Sequence, residues 1–243
     1  MVDGLVRQLN LAEEKMGTPS MKSKAKPRGR PRDAALTTRR CAEILEVATR
    51  LFATRGYPGT DLQVVADELG VGKGTIYRYF DTKEALFLAA VDRAIRRLSD
   101  QVYADMAKVT DPLEQVAVAT RSYLAFFDTH LECVELLIQE RAEFRDRKKP
   151  TYFEHREANI GRWHELFRGL VAAGRVRDLP IRDITDAISD LLYGTIFTNY
   201  FAGRKEPLEV QAQRVLNVVF CGILSDGERR RFQVGQRKEC QNR

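Results

Sequence analysis

A short segment of this sequence carries hydroxyl and guanidinium groups at the spacing of a short helix. It covers residues 60–86 and reads TDLQVVADELGVGKGTIYRYFDTKEAL. Ile76 and Phe80 are four residues apart and so share one helix face. The other face is left wholly or partly to the polar side chains Thr75, Tyr77, Arg78 and Tyr79. A helix of about two turns with such groups can reach base edges and phosphates in the major groove. We interpret the segment as a helix-turn-helix that binds double-stranded DNA.

Capping residues and apolar spacing predict the helices that would hold this segment. Thr60 and Gln63 fit a capping box at the start of a helix, and Gly70 can take the left-handed conformation that ends it. Asp81 or Thr82 caps the helix that follows. The polar helix is therefore expected to lie beside a tight turn, between two supporting helices.

The same patterns predict an all-α fold for the whole chain. No segment alternates apolar and polar residues as a half-buried strand does. Helices are expected at about 37–55, 61–69, 74–80, 82–103, 112–129, 131–145, 151–172, 182–202 and 206–226. We divide the chain into a basic arm, a helix-turn-helix domain, a larger helical domain and a polar tail, over residues 1–36, 37–82, 83–226 and 227–243. The arm and the tail are expected to be disordered.

Composition argues against a membrane, secreted or metal-binding protein. The chain has 243 residues, of which 44% are hydrophobic and 30% charged, as in an ordinary globular protein. It has no apolar run of about 18 residues and no signal-peptide core at its N-terminus, so we expect a cytoplasmic protein without a membrane partner. The four cysteines are scattered, and no nucleophile has an evident base. We expect no catalytic residue, no metal and no cofactor.

The net charge of +6 is concentrated in the first 40 residues, most of which form the N-terminal arm. Residues 1–40 hold ten Lys or Arg and four Asp or Glu, which accounts for the whole excess. Pro27-Arg-Gly-Arg-Pro-Arg32 within them resembles an AT-hook, in which arginines lie in the narrow minor groove of A·T-rich DNA. We predict minor-groove contacts from Arg28, Gly29, Arg30, Pro31 and Arg32. The alternative is a solvated basic leader without selectivity. Either Met1 or Met21 can be the true start.

Residues 38–95 contain four short motifs that occur together: Phe52…Gly56-Tyr57, Ala66…Leu69-Gly70-Val71, Lys73-Gly74-Thr75-Ile76-Tyr77 and Tyr79-Phe80…Lys83-Glu84…Leu86. With these motifs, the segment resembles the N-terminal domain of TetR/AcrR-type transcriptional regulators. One departure is Gly72, where that family often has a serine cap. The resemblance implies a three-helix DNA-binding domain, followed by a helical domain for ligand binding and dimerisation.

The resemblance also implies roles in reading a palindromic operator. It places Lys73, Gly74 and Thr75 at the start of the recognition helix, towards base edges and phosphates. Arg78 and Tyr79 would face the groove, where an arginine can read guanine with two hydrogen bonds.

Four further residues match positions beside the DNA backbone. Tyr77 and Lys83 resemble the tyrosine and the lysine with which the family contacts phosphates. Thr60 and Gln63 lie where the second helix would meet the backbone or a base. Alternatively, Thr60 and Gln63 only cap their helix, and Tyr79 packs against the first helix.

The helices of the larger domain carry many aromatic residues among a few polar ones. Most such residues form the core of a helical bundle, but the resemblance implies a ligand cavity among them. We predict that an unknown small-molecule effector binds a pocket lined by Tyr123, Phe126, Phe127, Trp163, Phe167, Tyr193 and Phe197. Aromatic walls with a few polar groups suit an amphipathic molecule.

The last two predicted helices are more apolar than a lone surface helix requires. Helix 182–202 is apolar on nearly all sides, and helix 206–226 carries a wide apolar stripe. Pairing both with their symmetry mates would form a four-helix interface. We predict a homodimer with an interface of Leu192, Ile196, Ala212, Leu216, Val219 and Ile223.

Three functions remain open at this point. The first is a ligand-responsive transcriptional regulator, which in the resembling family is most often a repressor. The second is an architectural DNA-binding protein without an effector. The third is a carrier or enzyme that binds a small molecule for its own sake. The long neutral body disfavours the second, and the lack of a catalytic pair disfavours the third.

Overall fold

The computed structural model describes residues 34–204 and 206–231. Over these residues the chain forms helices and no β-strand, apart from one isolated bridge between Val176 and Leu224, which confirms the all-α prediction. The helices are α1 (Ala34–Gly59), α2 (Leu62–Glu68), α3 (Lys73–Tyr77), α4 (Lys83–Met106), α5 (Pro112–Thr129), α6 (Leu131–Glu143), α7 (Thr151–Ala172), α8 (Ile181–Ala202) and α9 (Leu208–Ile223).

The structure describes the start of the C-terminal tail and only the last three residues of the N-terminal arm. Residues 226–231 form a short helical segment after α9, at the start of the tail expected over 227–243. The rest of that tail and residues 1–33 of the basic arm lie outside the described residues.

Two helix boundaries follow from local chemistry. α1 is interrupted at Gly56, whose φ of 75° is a left-handed conformation that favours glycine. This agrees with the expected helix end at residue 55. Of the two candidate caps for α4, Thr82 is the one used, since its side chain accepts a hydrogen bond from the Ala85 amide at 3.0 Å.

The helix-turn-helix region and the larger domain share one hydrophobic core. Phe52 of α1 and Phe87 of α4 are fully buried, with ring centroids 5.0 Å apart. The same core continues through Phe126 of α5 and Leu136 of α6 to Ile196 of α8. The DNA-binding region is therefore attached to the larger domain by packed side chains, and a shift of α4 or α6 has a direct mechanical route to α1.

Two kinds of feature are not found in the part of the chain that the structure describes. None of its helices is both long and apolar enough to cross a membrane. Its histidine, cysteine and carboxylate side chains form no group of three or more that could hold a metal ion.

Candidate DNA interface and ligand cavity

The turn between α2 and α3 holds the two helices together. Val65 and Ala66 of α2 and Ile76 of α3 are fully buried. Gly70 has a φ of 65°, and the Val71 amide donates to the Ala66 carbonyl at 2.9 Å, a bond typical of a glycine helix end. With its inner side fixed in this way, α3 presents its other side to solvent.

The outward side of α3 carries the residues expected to meet DNA. Tyr77 is 46% exposed, and Gly74 and Arg78 are also exposed. Thr75 and Tyr79 are half-buried, and Tyr79 packs partly against the core. The exposed guanidinium and phenol groups are therefore those of Arg78 and Tyr77, and the contact of Tyr79 with DNA stays a prediction.

Thr60 does not cap α2, so the proposed capping box with Gln63 is wrong. Thr60 is fully buried, and its hydroxyl donates to the carbonyls of Leu51 at 3.2 Å and Gly56 at 2.9 Å. The Thr60 hydroxyl therefore bonds to carbonyls on both sides of the break at Gly56 and not to the start of α2. Its side chain is therefore out of reach of DNA in this structure.

Asp61 is the N-cap of α2 and also holds the start of α3. Its carboxylate accepts a hydrogen bond from the Gln63 amide at 2.7 Å and lies 3.0 Å from Nζ of Lys73. The hydrogen bond from the Gln63 amide, together with Lys73, lowers the pKa of Asp61. The Gln63 side chain donates instead to Asp67 at 2.6 Å. Lys73 is thus placed at the first turn of α3 with a carboxylate partner that a phosphate could replace.

Lys83 joins the start of α4 to the turn after α1. Its Nζ donates to the Tyr57 carbonyl at 2.9 Å and lies 4.3 Å from the centre of the Tyr57 ring. An ammonium group has three donors, so this bond leaves protons for a phosphate. The structure adds a positioning role for Lys83 that the sequence did not indicate, and its phosphate contact stays a prediction.

The arm residues expected in the minor groove, Arg28 to Arg32, lie outside the described residues.

A cavity of about 150 Å³ lies among α4, α5, α7 and α8. Tyr123, Trp163 and Phe167 of the predicted set line it. Phe126 and Phe127 are instead buried in the core, because they lie on the sides of α5 that pack within the bundle. Tyr193 and Phe197 line a separate, more open groove beside α6.

The polar groups of the cavity wall were missed by the sequence analysis and come mainly from α7. Tyr152, Arg156, Asn159 and Trp163 all line the cavity. Their spacing of four, three and four residues places them on one helix face. The spacing of these polar residues can be read from the sequence. The prediction used only Trp163 and Phe167 of the same helix and therefore did not include Tyr152, Arg156 and Asn159.

These polar groups already have partners. The hydroxyls of Tyr123 and Tyr152 are 3.0 Å apart, and burial raises the pKa of Tyr152 to about 12. His155 Nε2 lies 2.7 Å from Asp92, and the Tyr103 hydroxyl donates to Asn159 at 3.2 Å. The wall is therefore mostly hydrocarbon with internally matched polar groups.

Most residues of the predicted dimer interface face the protomer's own core. Four of them are less than 10% exposed, namely Leu192, Ile196, Ala212 and Leu216, while Val219 and Ile223 are half-buried. The most apolar face of an amphipathic helix packs on its own domain first. The large apolar residues left outside on α8 and α9 are Leu191 at 38%, Phe201 at 71%, Val210 at 50% and Val218 at 65% exposure.

A shallow groove between these two helices joins some of the exposed residues. Leu191 and Val218 line it together with the small residues Gly194, Thr195 and Thr198. Small side chains allow another helix to approach closely. If α8 and α9 meet a symmetry mate, this groove is a surface that they offer.

Comparisons with known proteins now bear on this geometry. Residues 44–90 match the family model described as bacterial regulatory proteins, tetR family. The uncharacterized regulator MT1294 of Mycobacterium tuberculosis is 37% identical over 81 residues, which are 33% of this chain and only 40% of that protein. The transcriptional repressor AcnR of Corynebacterium diphtheriae is 31% identical over 179 residues, covering 73% of this chain and 87% of AcnR.

The chain belongs to the TetR family of bacterial regulatory proteins.

The fold agrees with that assignment along most of the chain. A regulator from Saccharomonospora viridis, solved in complex with choline, superposes with a TM-score of 0.64 at 21% identity and covers 77% of this chain and 99% of its own. The TetR family model itself covers most of α1, all of α2 and α3, and the start of α4. Tyr57, Lys73 to Tyr79 and Lys83 lie inside the matched residues, whereas the cavity and the groove on α8 and α9 lie outside them.

Proposed function

We propose that this TetR-family protein is a transcriptional repressor that binds a palindromic operator as a dimer and is released by a small molecule in the cavity. The observation that carries the proposal is the exposed side of α3, where Tyr77 and Arg78 extend from a buried helix-turn-helix unit. The name of AcnR, a repressor, supports the sign of control. The choline complex of the S. viridis regulator supports a ligand-binding larger domain.

The proposed contacts with DNA are of two kinds: contacts that read base edges and contacts to phosphates that position the protein. Arg78 is proposed to read a base edge in each half-site, since a guanidinium can donate two hydrogen bonds to guanine. Lys73, Tyr77 and Lys83 are proposed to contact phosphates, with Gly74 and Thr75 close to the groove. Gln63 is kept as a secondary candidate because it is exposed at the start of α2, and Thr60 is withdrawn because it is buried.

The cavity is proposed to act on α3 through α4 and α6. α4 lines the cavity with Ile95 and Leu98 and begins at Lys83, which holds Tyr57. The Gln139 side chain of α6 donates to the Phe52 carbonyl at 2.9 Å. A ligand that moves α4 would therefore change the position of the helix-turn-helix relative to its partner copy, and the two halves of the operator could no longer be contacted together.

A second contact links the end of α6 to the same region. The Phe144 ring lies 5.0 Å from Tyr57 and 5.5 Å from Phe87, measured between ring centroids. Packed aromatic rings transmit a displacement because dense cores have little free volume. Release from the operator is proposed to involve this cluster.

Selection of genomic fragments tests the proposal against its alternatives. Purified full-length protein is mixed with fragments of its own organism's genome, and bound sites are sequenced and footprinted. A repressor should select a few palindromic sites near promoters. Broad binding without a shared sequence would favour an architectural protein, and absence of DNA binding would favour a carrier.

Replacing Asp61 by asparagine is expected to strengthen operator binding several-fold. Asparagine caps a helix as well as aspartate does, so α2 should keep its start. Lys73 would lose the carboxylate at 3.0 Å, and one negative charge would be removed beside the proposed phosphate contacts. Affinity is measured by titration at several salt concentrations.

The matched control is Asp226→Asn, because Asp226 is exposed near the other end of the described chain. This variant removes one negative charge, as Asp61→Asn does, but at a position after the end of α9. If both variants bind alike, Lys73 does not contact a phosphate in the complex.

Deleting residues 1–33 is expected to weaken binding most on operators with A·T-rich flanks. The narrow minor groove of A·T-rich DNA attracts arginine, and the deleted arm contains Arg28 and Arg30. The measurement compares A·T-rich and G·C-rich flanks, with netropsin as a competitor for the minor groove. Equal loss on both flanks, explained by a smaller salt dependence alone, would show a non-selective basic leader.

A further inference from the structure

The lining of the cavity restricts the chemical class of its ligand. Most of its wall is hydrocarbon, contributed by α4, α5 and α8, for example by Leu98, Val116 and Leu192. Aromatic rings of Trp163 and Phe167 complete it. Such a wall favours a molecule whose own surface is mainly apolar.

The two basic side chains of the wall, Arg156 and His155, already have carboxylate partners. The two terminal nitrogens of Arg156 donate to Asp186 at 2.7 Å and Asp190 at 2.8 Å. His155 Nε2 lies 2.7 Å from Asp92, which also accepts from Arg96 at 2.7 Å. Asp186 and Asp190 already balance the charge of Arg156, so an anionic ligand would have to compete with two carboxylates for it. A cationic ligand would find no carboxylate among the lining residues, all of which the structure describes. Both would lose solvation without a free partner.

Among the described residues, two hydroxyl sites of the wall are exceptions to this matching: the buried Tyr123–Tyr152 pair and the half-buried Ser189, for which no hydrogen bond is recorded. Tyr123 and Tyr152 both line the cavity, and their hydroxyl oxygens are 3.0 Å apart. Two hydroxyls carry two protons, and one of these is used within the pair. Among the described residues the structure records no acceptor for the second proton. Burial raises the pKa of both tyrosines, so that both protons stay in place at neutral pH.

We propose that the cavity binds a small, uncharged, mainly hydrocarbon molecule with one carbonyl or hydroxyl oxygen, which accepts the free proton of the Tyr123–Tyr152 pair. Its size follows from the cavity volume of about 150 Å³, since an apolar cavity of about that volume takes a molecule the size of benzene. The regulatory meaning of this binding rests on the proposed function, but the binding itself does not.

The test uses the full chain and a matched set of compounds. Benzyl alcohol, toluene, benzoate and protonated benzylamine share one ring and differ only in the group on one carbon. Trp163 is the single tryptophan of the chain and lines the cavity, so its fluorescence reports binding directly. Benzyl alcohol should bind saturably, with benzoate and benzylamine at least about tenfold weaker.

Two variants test where the oxygen and the ring of the bound compound lie in the cavity. The double variant Tyr123→Phe/Tyr152→Phe removes both protons with little change of shape. It should weaken benzyl alcohol by about threefold to tenfold, the size of one neutral hydrogen bond, and leave toluene unchanged. Ala119→Leu fills the cavity from α5 and should weaken all four compounds, and thermal melting shows whether each variant is folded.

Three results would overturn the inference. The first is benzoate or benzylamine binding as tightly as benzyl alcohol. The second is unchanged affinity for benzyl alcohol in a folded double variant. The third is the absence of any saturable change of Trp163 fluorescence with any of the four compounds. Operator binding, measured separately without compounds, distinguishes the two proposals, since its loss contradicts the repressor and leaves the ligand class standing.

Discussion

Replacing Arg78 by alanine is expected to lower operator affinity by about 1–3 kcal/mol for each half-site, and to relax base preference at one position of each. Arg78 is exposed on the outward side of α3, and truncation should leave the buried side at Ile76 intact. A dimer contains two copies, so the two losses add when both half-sites are engaged. Titration against operators with every base at each position measures the change.

Lys83→Ala separates base reading from phosphate contact. It is expected to weaken binding to all sequences alike and to reduce the salt dependence by about one contact per half-site. Lys83 also donates a hydrogen bond to the Tyr57 carbonyl at 2.9 Å, so the thermal stability of the variant is measured in parallel. Arg168→Ala, an exposed arginine of α7, controls for loss of charge. If Arg78→Ala and Lys83→Ala lose affinity evenly across operators, Arg78 does not read a base.

Replacing Val218 by glutamate is expected to dissociate the dimer and abolish operator binding. Val218 is 65% exposed in the single chain and lies in the groove formed by α8 and α9. In a two-fold interface the substitution would bury two carboxylates without partners, and an unpaired buried charge costs about 3–5 kcal/mol. The dissociation constant of the dimer should therefore rise by at least about a hundredfold. Light scattering at micromolar concentration measures it.

Leu131→Glu is the control for this change. Leu131 is 54% exposed at the start of α6 and does not line the groove between α8 and α9, so the variant should remain a dimer. A Val218→Glu protein with unchanged mass would mean that the chain associates through another surface. A wild-type monomer at micromolar concentration would remove dimerisation from the proposal altogether.

The amino-acid sequence was sufficient for features that depend on neighbours in the chain. The helical class, the break at Gly56 and the turn at Gly70 were predicted from it and are present. Each depends on a glycine conformation or on helical periodicity, which a few consecutive residues determine. The same holds for the exposure of Arg78, although the helix predicted over 74–80 ends at Tyr77 and Arg78 is its C-cap. Ile76 within α3 and Phe80 just after it are buried, as their spacing predicted.

Where several residues could serve the same role equally well, tertiary packing decided which of them did so. Thr60 and Asp61 are both good helix caps. In the folded chain the Thr60 hydroxyl is buried against carbonyls of α1, and Asp61 caps α2. On α8 and α9, periodicity identified the most apolar faces, but the protomer's own core occupies them, so the outer surface carries other residues such as Val218.

The residues that line the cavity likewise could not be identified from the sequence alone. Aromatic residues at helical spacing look alike in sequence, whether they fill a core, as Phe126 does, or line a space, as Trp163 does. The difference depends on how far apart four helices lie, and that distance is set by side chains distant in the chain. The polar wall of Tyr152, Arg156 and Asn159 took on its meaning only when α4, α5 and α8 were placed around it, since a polar group acquires its role from the partners that packing brings to it.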